Sequence, residues 1–452
     1  MPQAQMSSAS SPEGQPSSVE QASRQGLEQA FELFSQMSSQ LTDSYSMLEA
    51  RVTELKGELA VVSAQRMQEL AEKERLANRL QNLLDLLPGG VIVIDGHGMV
   101  RESNPAAIEL LGLPVGSEVI TPALTFATTV APIVRAGLVP VFIDAEPGTY
   151  NIDVAHIEAM ISPQTRAMMI PSLIGNLPDW DVLMDIANRH ELMLVEDSAD
   201  TLGATLRGKS TGTRSHISTT SFYGSHVINA AGNGGMICIN DDEMARRARL
   251  LRSWGRTSSL FVDSEAAENR FGVQVDGIEY DAKFLFEALG FNIEPSEMGA
   301  AFGLVQLDRL QENIAARIAN FARQYAFFAQ YEDWFELPRQ LDESVTGWLS
   351  FPLTVRENAP FTRREMQMWM EGWDIQTRPV FTGNILRQPA MRGVACRTEE
   401  GGYPVADAVM RGGILLACHH GLDEAQIDYL QQTFAAFADQ QAGPRARSAA
   451  VA

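Results

Sequence analysis

Apolar residues in the first part of this chain fall at alternating four- and three-residue steps. They run Leu48, Val52, Leu55, Leu59 and Val62, then after a break Leu76, Leu80, Leu83 and Leu87. That spacing predicts a long helix with one apolar seam, a coiled coil over residues 21–87. A single helix cannot bury such a seam, so it pairs with another chain or docks on the body of the protein, with pairing the expected outcome. Gly57 weakens the helix without breaking it. Leu87-Pro-Gly-Gly90 ends the pattern, and Val91-Ile-Val-Ile-Asp95 reads as a strand and turn, with a second strand and a short helix to follow.

Beyond residue 117 the rhythm changes. Strand-like runs at 141–144, 167–170, 192–196 and 219–222, apolar in the first three, are separated by helical stretches such as 181–190. The alternation predicts an α/β fold with a largely parallel, helix-covered sheet over 117–335, whose ligands bind beyond the carboxyl ends of the strands. Residues 297–331 read as one long helix leading into a smaller α+β domain, 336–438, and 439–452 are expected to form a loose tail. Residues 1–20 are rich in Ser, Gln, Pro and Ala and lack the basic start and apolar core of a signal peptide, so they are expected to be disordered.

Composition narrows the partners. At 452 residues with 45% hydrophobic content the chain holds two or three domains with a packed core. Its net charge of −22 argues against a nucleic acid or an anionic membrane surface as the main partner. Three scattered cysteines, Cys238, Cys396 and Cys418, offer neither a disulfide framework nor a metal-binding pair, which fits a reducing cytoplasm and excludes an iron–sulfur centre of the chain's own. No apolar run reaches the ~20 residues of a membrane-spanning helix, so a soluble protein is expected.

Individual residues are ambiguous on their own. Asp197, after a predicted strand, is as a lone acid more often a helix cap or a surface charge. Phe126 alone reads as core. An isolated loop histidine such as His226 is more often a hydrogen-bonding residue than a catalyst. Gly232-Asn-Gly-Gly235 admits a close-approaching ligand or merely turns, without the partners of a phosphate loop or a dinucleotide fingerprint. His419 and His420 lack an evident third ligand, so no metal site is expected.

Context decides among these readings. Val119-Ile-Thr-Pro-Ala-Leu-Thr-Phe126, Pro140-Val-Phe-Ile-Asp144 followed by Tyr150-Asn-Ile-Asp153, Val195-Glu-Asp197-Ser-Ala-Asp200, Ser221-Phe-Tyr-Gly-Ser-His226 and Gly290-Phe-Asn292 appear in that order. From about residue 118 to 437 the chain resembles the DegT-type nucleotide-sugar aminotransferases, with His226 at the position of the Schiff-base lysine. The histidine-bearing branch is similar to sugar 3-dehydratases, and Thr377-Arg378 with Gly383-Asn384 suits that branch. The chain has four lysines, Lys56, Lys73, Lys209 and Lys283, and none falls in a candidate cofactor loop. Residues 88–116 resemble the opening of a PAS domain, as found after a coiled coil in flagellar-type sensor histidine kinases; an ordinary β-hairpin with a helix is the plainer alternative. Sensor-like sequence thus stands where the enzymes carry the turn that grips the cofactor phosphate. Ser103-Asn104-Pro105-Ala106-Ala107 mimics that turn only faintly, because Pro105 removes a donor.

The resemblance implies an aspartate aminotransferase-like, fold type I pyridoxal phosphate (PLP) transferase with a smaller C-terminal α+β domain. It implies roles for six residues. His226 is the proton-transferring catalyst, Asp197 the partner of the cofactor ring nitrogen, and Phe126 the stacking aromatic. Asp200 lies near the phenolic oxygen, Ser221 binds the phosphate, and Asn292 is lent by a second subunit, so a homodimer is expected. The cofactor would be pyridoxamine or pyridoxal phosphate held noncovalently. The substrate would be a nucleotide-linked 4-keto-6-deoxyhexose losing its 3-hydroxyl, with glutamate as amino donor. Residues 253–284 contain no cysteine, which favours that route over one through an iron–sulfur cluster. Two rivals remain at this point: a nucleotide-sugar aminotransferase with a noncovalent cofactor, and an inert sensor–enzyme fusion acting as an oligomeric signalling or scaffold protein.

Overall fold

The computed structural model describes residues 37, 47–48, 92–94, 100–103 and 112–446, with side chains to residue 441. The chain divides into two units, 1–84 and 85–452. In the first, residues 37 and 47–48 are helical; the remaining seam positions and the expected loose start lie outside the described residues.

In the second unit, β1 (Ile92–Ile94) and β2 (Val100–Ser103) form an antiparallel hairpin with Ile92 opposite Ser103 and Val93 opposite Glu102. These are the two strands expected of the PAS-like segment; its short helix lies outside the described residues. The main sheet is built from β3 (Glu118–Pro122), β4 (Val139–Ile143), β5 (Thr165–Pro171), β6 (Met193–Asp197), β7 (Ile217–Ser221) and β8 (Gly235–Ile239). Its spatial order is β8-β7-β6-β5-β3-β4, parallel throughout except for β8. Near-continuous apolar runs such as Met193-Leu-Val195 suit strands covered on both faces. Helix α1 (Ala127–Arg135) links β3 to β4, and α2 (Trp180–Arg189) precedes β6. Asp179 caps α2 by accepting from the amides of Asp181 and Val182, and Trp180, Leu183, Ile186 and Ala187 form its buried face. Helix α3 (Asp242–Arg252) follows β8.

The expected single helix over 297–331 is two helices. Helices α4 (Glu297–Asp308) and α5 (Leu310–Phe328) meet at Arg309, and a 3₁₀ turn carries on to Tyr331. The pattern explains the break. Helix α5 buries one face, beginning at Leu310 and Ile314, whereas in α4 apolar residues point in every direction and only Gly299 is buried.

The smaller sheet, in the order β9 (Phe335–Glu336), β10 (Phe351–Val355), β12 (Gly413–Leu416) and β11 (Arg378–Pro379), is antiparallel. Helices α6 (Arg363–Gly372), α7 (Pro404–Gly412) and α8 (Glu424–Ala446) accompany it. Phe328, Phe335, Phe351, Phe434 and Phe437 are almost wholly buried together, and the same apolar cluster contains Leu124 and Phe142 of the larger lobe. The expected boundary at 335/336 is therefore crossed by continuous core. The tail expectation also changes, because α8 continues to Ala446. Phe437 and Ala438 anchor the helix, and Gln440, Gln441 and Ala442 favour its continuation, whereas Gly443 and Pro444 do not.

Candidate active site

Four of the six expected site residues stand at or just beyond the carboxyl ends of parallel strands. Asp197 closes β6 and Ser221 closes β7; Phe126 follows β3 as the N-cap of α1, and Asp200 lies just past β6. The Asp197 carboxylate is tied at both oxygens, accepting from Thr129 Oγ1 at 2.8 Å and from the amide of Ala199 at 3.2 Å. Burial pushes its pKa above the ordinary carboxylate value, against those two hydrogen bonds and the neighbouring His226.

Asp200 accepts from the amide of Ile174 at 3.0 Å. Burial, with the charge of Asp197 added, pushes its pKa up to about 7. Ile174 reaches it from a left-handed backbone with φ of 58°, a costly conformation for a β-branched residue and one that tends to cluster at functional sites.

His226 is held by a turn, its amide donating to Tyr223 O at 3.0 Å. Its Nδ1 lies 2.6 Å from the carbonyl oxygen of Ala199. A carbonyl only accepts, so Nδ1 carries the proton and Nε2 carries the lone pair. Asp200 Oδ1 is 3.6 Å from Nδ1, near enough for electrostatic coupling but beyond a hydrogen bond. Burial lowers the imidazole pKa, so the ring is neutral at neutral pH.

The Phe126 ring is 40% exposed and meets Phe381 edge to face at 5.5 Å. Thr382 donates its hydroxyl to Thr125 O, and Leu124 bridges to Asn384, so a loop of the smaller lobe is fastened beside Phe126. Ser221 Oγ accepts from the amide of Tyr223 at 3.2 Å. Asn292 is exposed and pairs through its backbone with Ser253; it shares no described contact with the other five residues.

His226 opens onto a cavity of about 1320 Å³ lined also by Tyr223, Asn229, Arg317, Phe381 and His419. That volume exceeds the ~300–1,000 Å³ of ordinary small-molecule pockets and suits a large ligand. Among the described residues no cluster of side chains has the make-up of a metal site, and no helix is long and apolar enough to cross a membrane. Sequence reasoning assigned no role to Thr129, Phe381 or Arg317. Thr129 lies three residues beyond the motif that ends at Phe126, and its pairing with Asp197 spans 68 residues and leaves no local signal.

The model of the DegT/DnrJ/EryC1/StrS aminotransferase family matches residues 102–435, and a PAS fold model matches residues 78–125. The chain is 34% identical over 328 residues to the lipopolysaccharide biosynthesis protein RfbH of Salmonella typhimurium, covering 72% of this chain and 75% of that one. It is 36% identical over 332 residues to dTDP-4-dehydro-2,6-dideoxy-D-glucose 3-dehydratase of Saccharopolyspora spinosa, covering 71% and 70%. Over 97 residues it is 78% identical to the sensor protein kinase FleS of Pseudomonas aeruginosa, a match covering 22% of this chain and 24% of the kinase. The E. coli GDP-4-keto-6-deoxy-D-mannose-3-dehydratase solved with bound hydrated PLP superposes with a TM-score of 0.64 at 26% identity, covering 73% of this chain and 84% of that one. Fold and sequence agree: the chain belongs to the DegT/DnrJ/EryC1/StrS aminotransferase family.

Proposed function

We propose that this chain removes the 3-hydroxyl of a nucleotide-linked 4-keto-6-deoxyhexose, in deoxysugar and polysaccharide biosynthesis, with pyridoxamine phosphate held noncovalently. One observation carries the reading: His226, at the position that the resemblance gives to the Schiff-base lysine, keeps an Nε2 with no described hydrogen bond, and no lysine among the described residues lines the cavity. Lys209 is exposed on a short hairpin strand, and Lys283 pairs with Glu265.

The described residues fit the cofactor ring. Asp197 is a half-buried carboxylate with no cationic side chain in salt-bridge contact among the described residues, so a protonated ring nitrogen would supply the missing positive charge. Phe126 offers an exposed ring as a stacking face, and Ser221 a hydroxyl for the phosphate. When bound, the amine form of the cofactor would join the ketone carbon and, on giving up a proton from its aminomethyl carbon, would supply the electron pair that expels the neighbouring hydroxyl.

The chain's own residues manage the protons. Ala199 fixes the imidazole tautomer, burial keeps the ring neutral, and Nε2 accepts a proton that can pass to the departing hydroxyl, which leaves as water. Thr129 and the Ala199 amide orient Asp197. Glutamate is the proposed amino donor; it gives up its amine and leaves as the 2-oxo acid.

The active unit in this reading is a cytoplasmic homodimer. Its support is α4, where Met298 is 82% and Leu304 64% exposed, with Phe302, Val305 and Leu307 also uncovered. A helix that is apolar all round is a buried helix, and a second copy is the proposed cover. Asn292 lies just before α4, where it could reach that second copy's site.

An absorbance titration tests the function. Full-length protein is titrated with pyridoxamine phosphate, then with pyridoxal phosphate plus glutamate, and finally given 4-keto sugar nucleotides. Saturable binding, glutamate-driven conversion of aldehyde to amine and loss of the 3-hydroxyl are expected. Failure to bind either form would favour the inert sensor–enzyme fusion, and an aminated sugar product would favour the aminotransferase.

A further inference from the structure

Arg317, on the inner face of α5, is only 2% exposed. Its Nη1 donates to the carbonyls of Trp348 at 3.2 Å and Leu349 at 3.1 Å. Its Nε is buried without a partner, and no described hydrogen bond uses Nη2. No carboxylate of the described residues forms a salt bridge with it; Asp200 is close enough to be felt electrostatically but does not pair. Leaving a guanidinium buried and uncompensated is costly, and such a group calls for an anion.

The same side chain lines the cavity that His226 opens onto, with Leu349, Ser350, His419 and His420 as neighbours on the lining. Burial lowers the pKa of the half-buried His226, and the exposed His419 and His420 are shifted the same way by partial burial and the arginine's charge. The acids on the lining, Asp374 and Asp423, are exposed, as is the other lining arginine, Arg378. Arg317 is therefore the one buried permanent positive charge among the described lining residues.

We propose that Arg317 anchors a carboxylate of the amino-acid donor, and so selects amino acids over simple amines. Its Nη1 is occupied by carbonyls and its Nε is closed off, which leaves Nη2 as the donor that an incoming carboxylate meets. One guanidinium balances one carboxylate. A diphosphate carries more charge than this wall compensates, since Arg317 is the one buried cation on it and the acid Asp200 lies close by. Asp200 and His226 both feel the arginine's charge, so an anion held here lies near the reacting end of the cavity.

The donor's chemical use rests on the pyridoxamine reading, but the binding does not, so calorimetry with glutarate, a dicarboxylate without an amine, tests it directly. Glutaramide serves as the uncharged control and inorganic pyrophosphate as the competing anion. Wild type should bind glutarate and not glutaramide. R317Q should weaken glutarate at least tenfold and R317K by less, because lysine keeps the charge but loses the guanidinium donors that fix its place; neither should change pyrophosphate binding. R317K also stands in if the glutamine variant fails to fold. Absence of glutarate binding to wild type, or equal binding by folded variants, overturns the proposal. Loss of pyrophosphate with glutarate unchanged overturns it as well and assigns the arginine to the nucleotide. Glutarate binding that depends on Arg317, in a protein that glutamate cannot convert to the amine form, would leave the anchor standing and remove the proposed function.

Discussion

The imidazole of His226 donates from Nδ1 to the main-chain carbonyl of Ala199 at 2.6 Å. Ala199 lies between two acids of the site, and its amide donates to one of them, Asp197. One residue thus sets the histidine's tautomer through its carbonyl and steadies the ring-binding acid through its amide. A backbone group cannot be deleted by substitution, so the arrangement is probed through the side chains it holds.

His226→Asn keeps a polar side chain of similar reach and removes the basic nitrogen. Dehydration should fall by about 10²–10⁴-fold, the usual contribution of a positioned acid–base group. Cofactor binding in the same absorbance titration should stay within a few-fold of wild type. Full turnover by the variant would remove His226 from the mechanism.

The pH dependence has two parts of opposite sign. Burial holds His226 below its ordinary 6.5, and the base must be neutral to act, so the acidic limb of the rate profile should have its midpoint below pH 6.5. Asp200 runs the other way, with a pKa raised from 3.8 to about 7. In that window the folded chain binds the proton that the unfolded chain has released. The stability it contributes is complete below pH 3.8 and is lost as pH rises through about 7. Asp200→Asn cannot release this proton. Across the window its melting temperature should fall less with pH than that of wild type, and parallel curves would show that Asp200 does not titrate as described.

Thr129→Val removes the hydroxyl that donates to Asp197 while keeping the β-branched shape. A hydrogen bond to a charged acceptor contributes about 1.5–3 kcal/mol, so cofactor affinity should drop by about tenfold or more. The test is the dissociation constant of pyridoxamine phosphate. An unchanged constant would separate Asp197 from cofactor binding.

What the sequence made legible followed the range of the interactions. Strand–helix alternation located β4 to β7, whereas the acid closing β6 stood out only through the motifs around it, since a lone acid after a strand reads as a cap or a surface charge. The break at Arg309 escaped because no proline or glycine marks it, and it reflects where α5 finds core to face. Phe381 escaped for a related reason: it reaches Phe126 only once the loop of the smaller lobe is pinned by Thr382 and Asn384, more than 250 residues along the chain. Arg317 on a helix reads as an ordinary solvated charge; only the fold shows that it is buried and unpaired.

Asn292 supplies the sharpest test of the assembly, because it lies beside the apolar α4 and away from its own chain's described site contacts. If a second copy covers α4 and receives Asn292, each site draws His226 from one chain and Asn292 from the other. His226→Asn and Asn292→Ala homodimers should then both be inactive. Co-expressing the two variants assembles half of the dimers as mixed pairs, in which one of two sites is intact. Activity should return to about a quarter of wild type, read against singly expressed controls. If Asn292 serves its own chain, every site in the mixture keeps one defect and no activity returns. Leu304→Glu adds an independent reading of the same surface, since a charge on the covered face of α4 should shift the dimer toward monomer in sedimentation. A monomeric wild type would return Asn292 to an ordinary surface role.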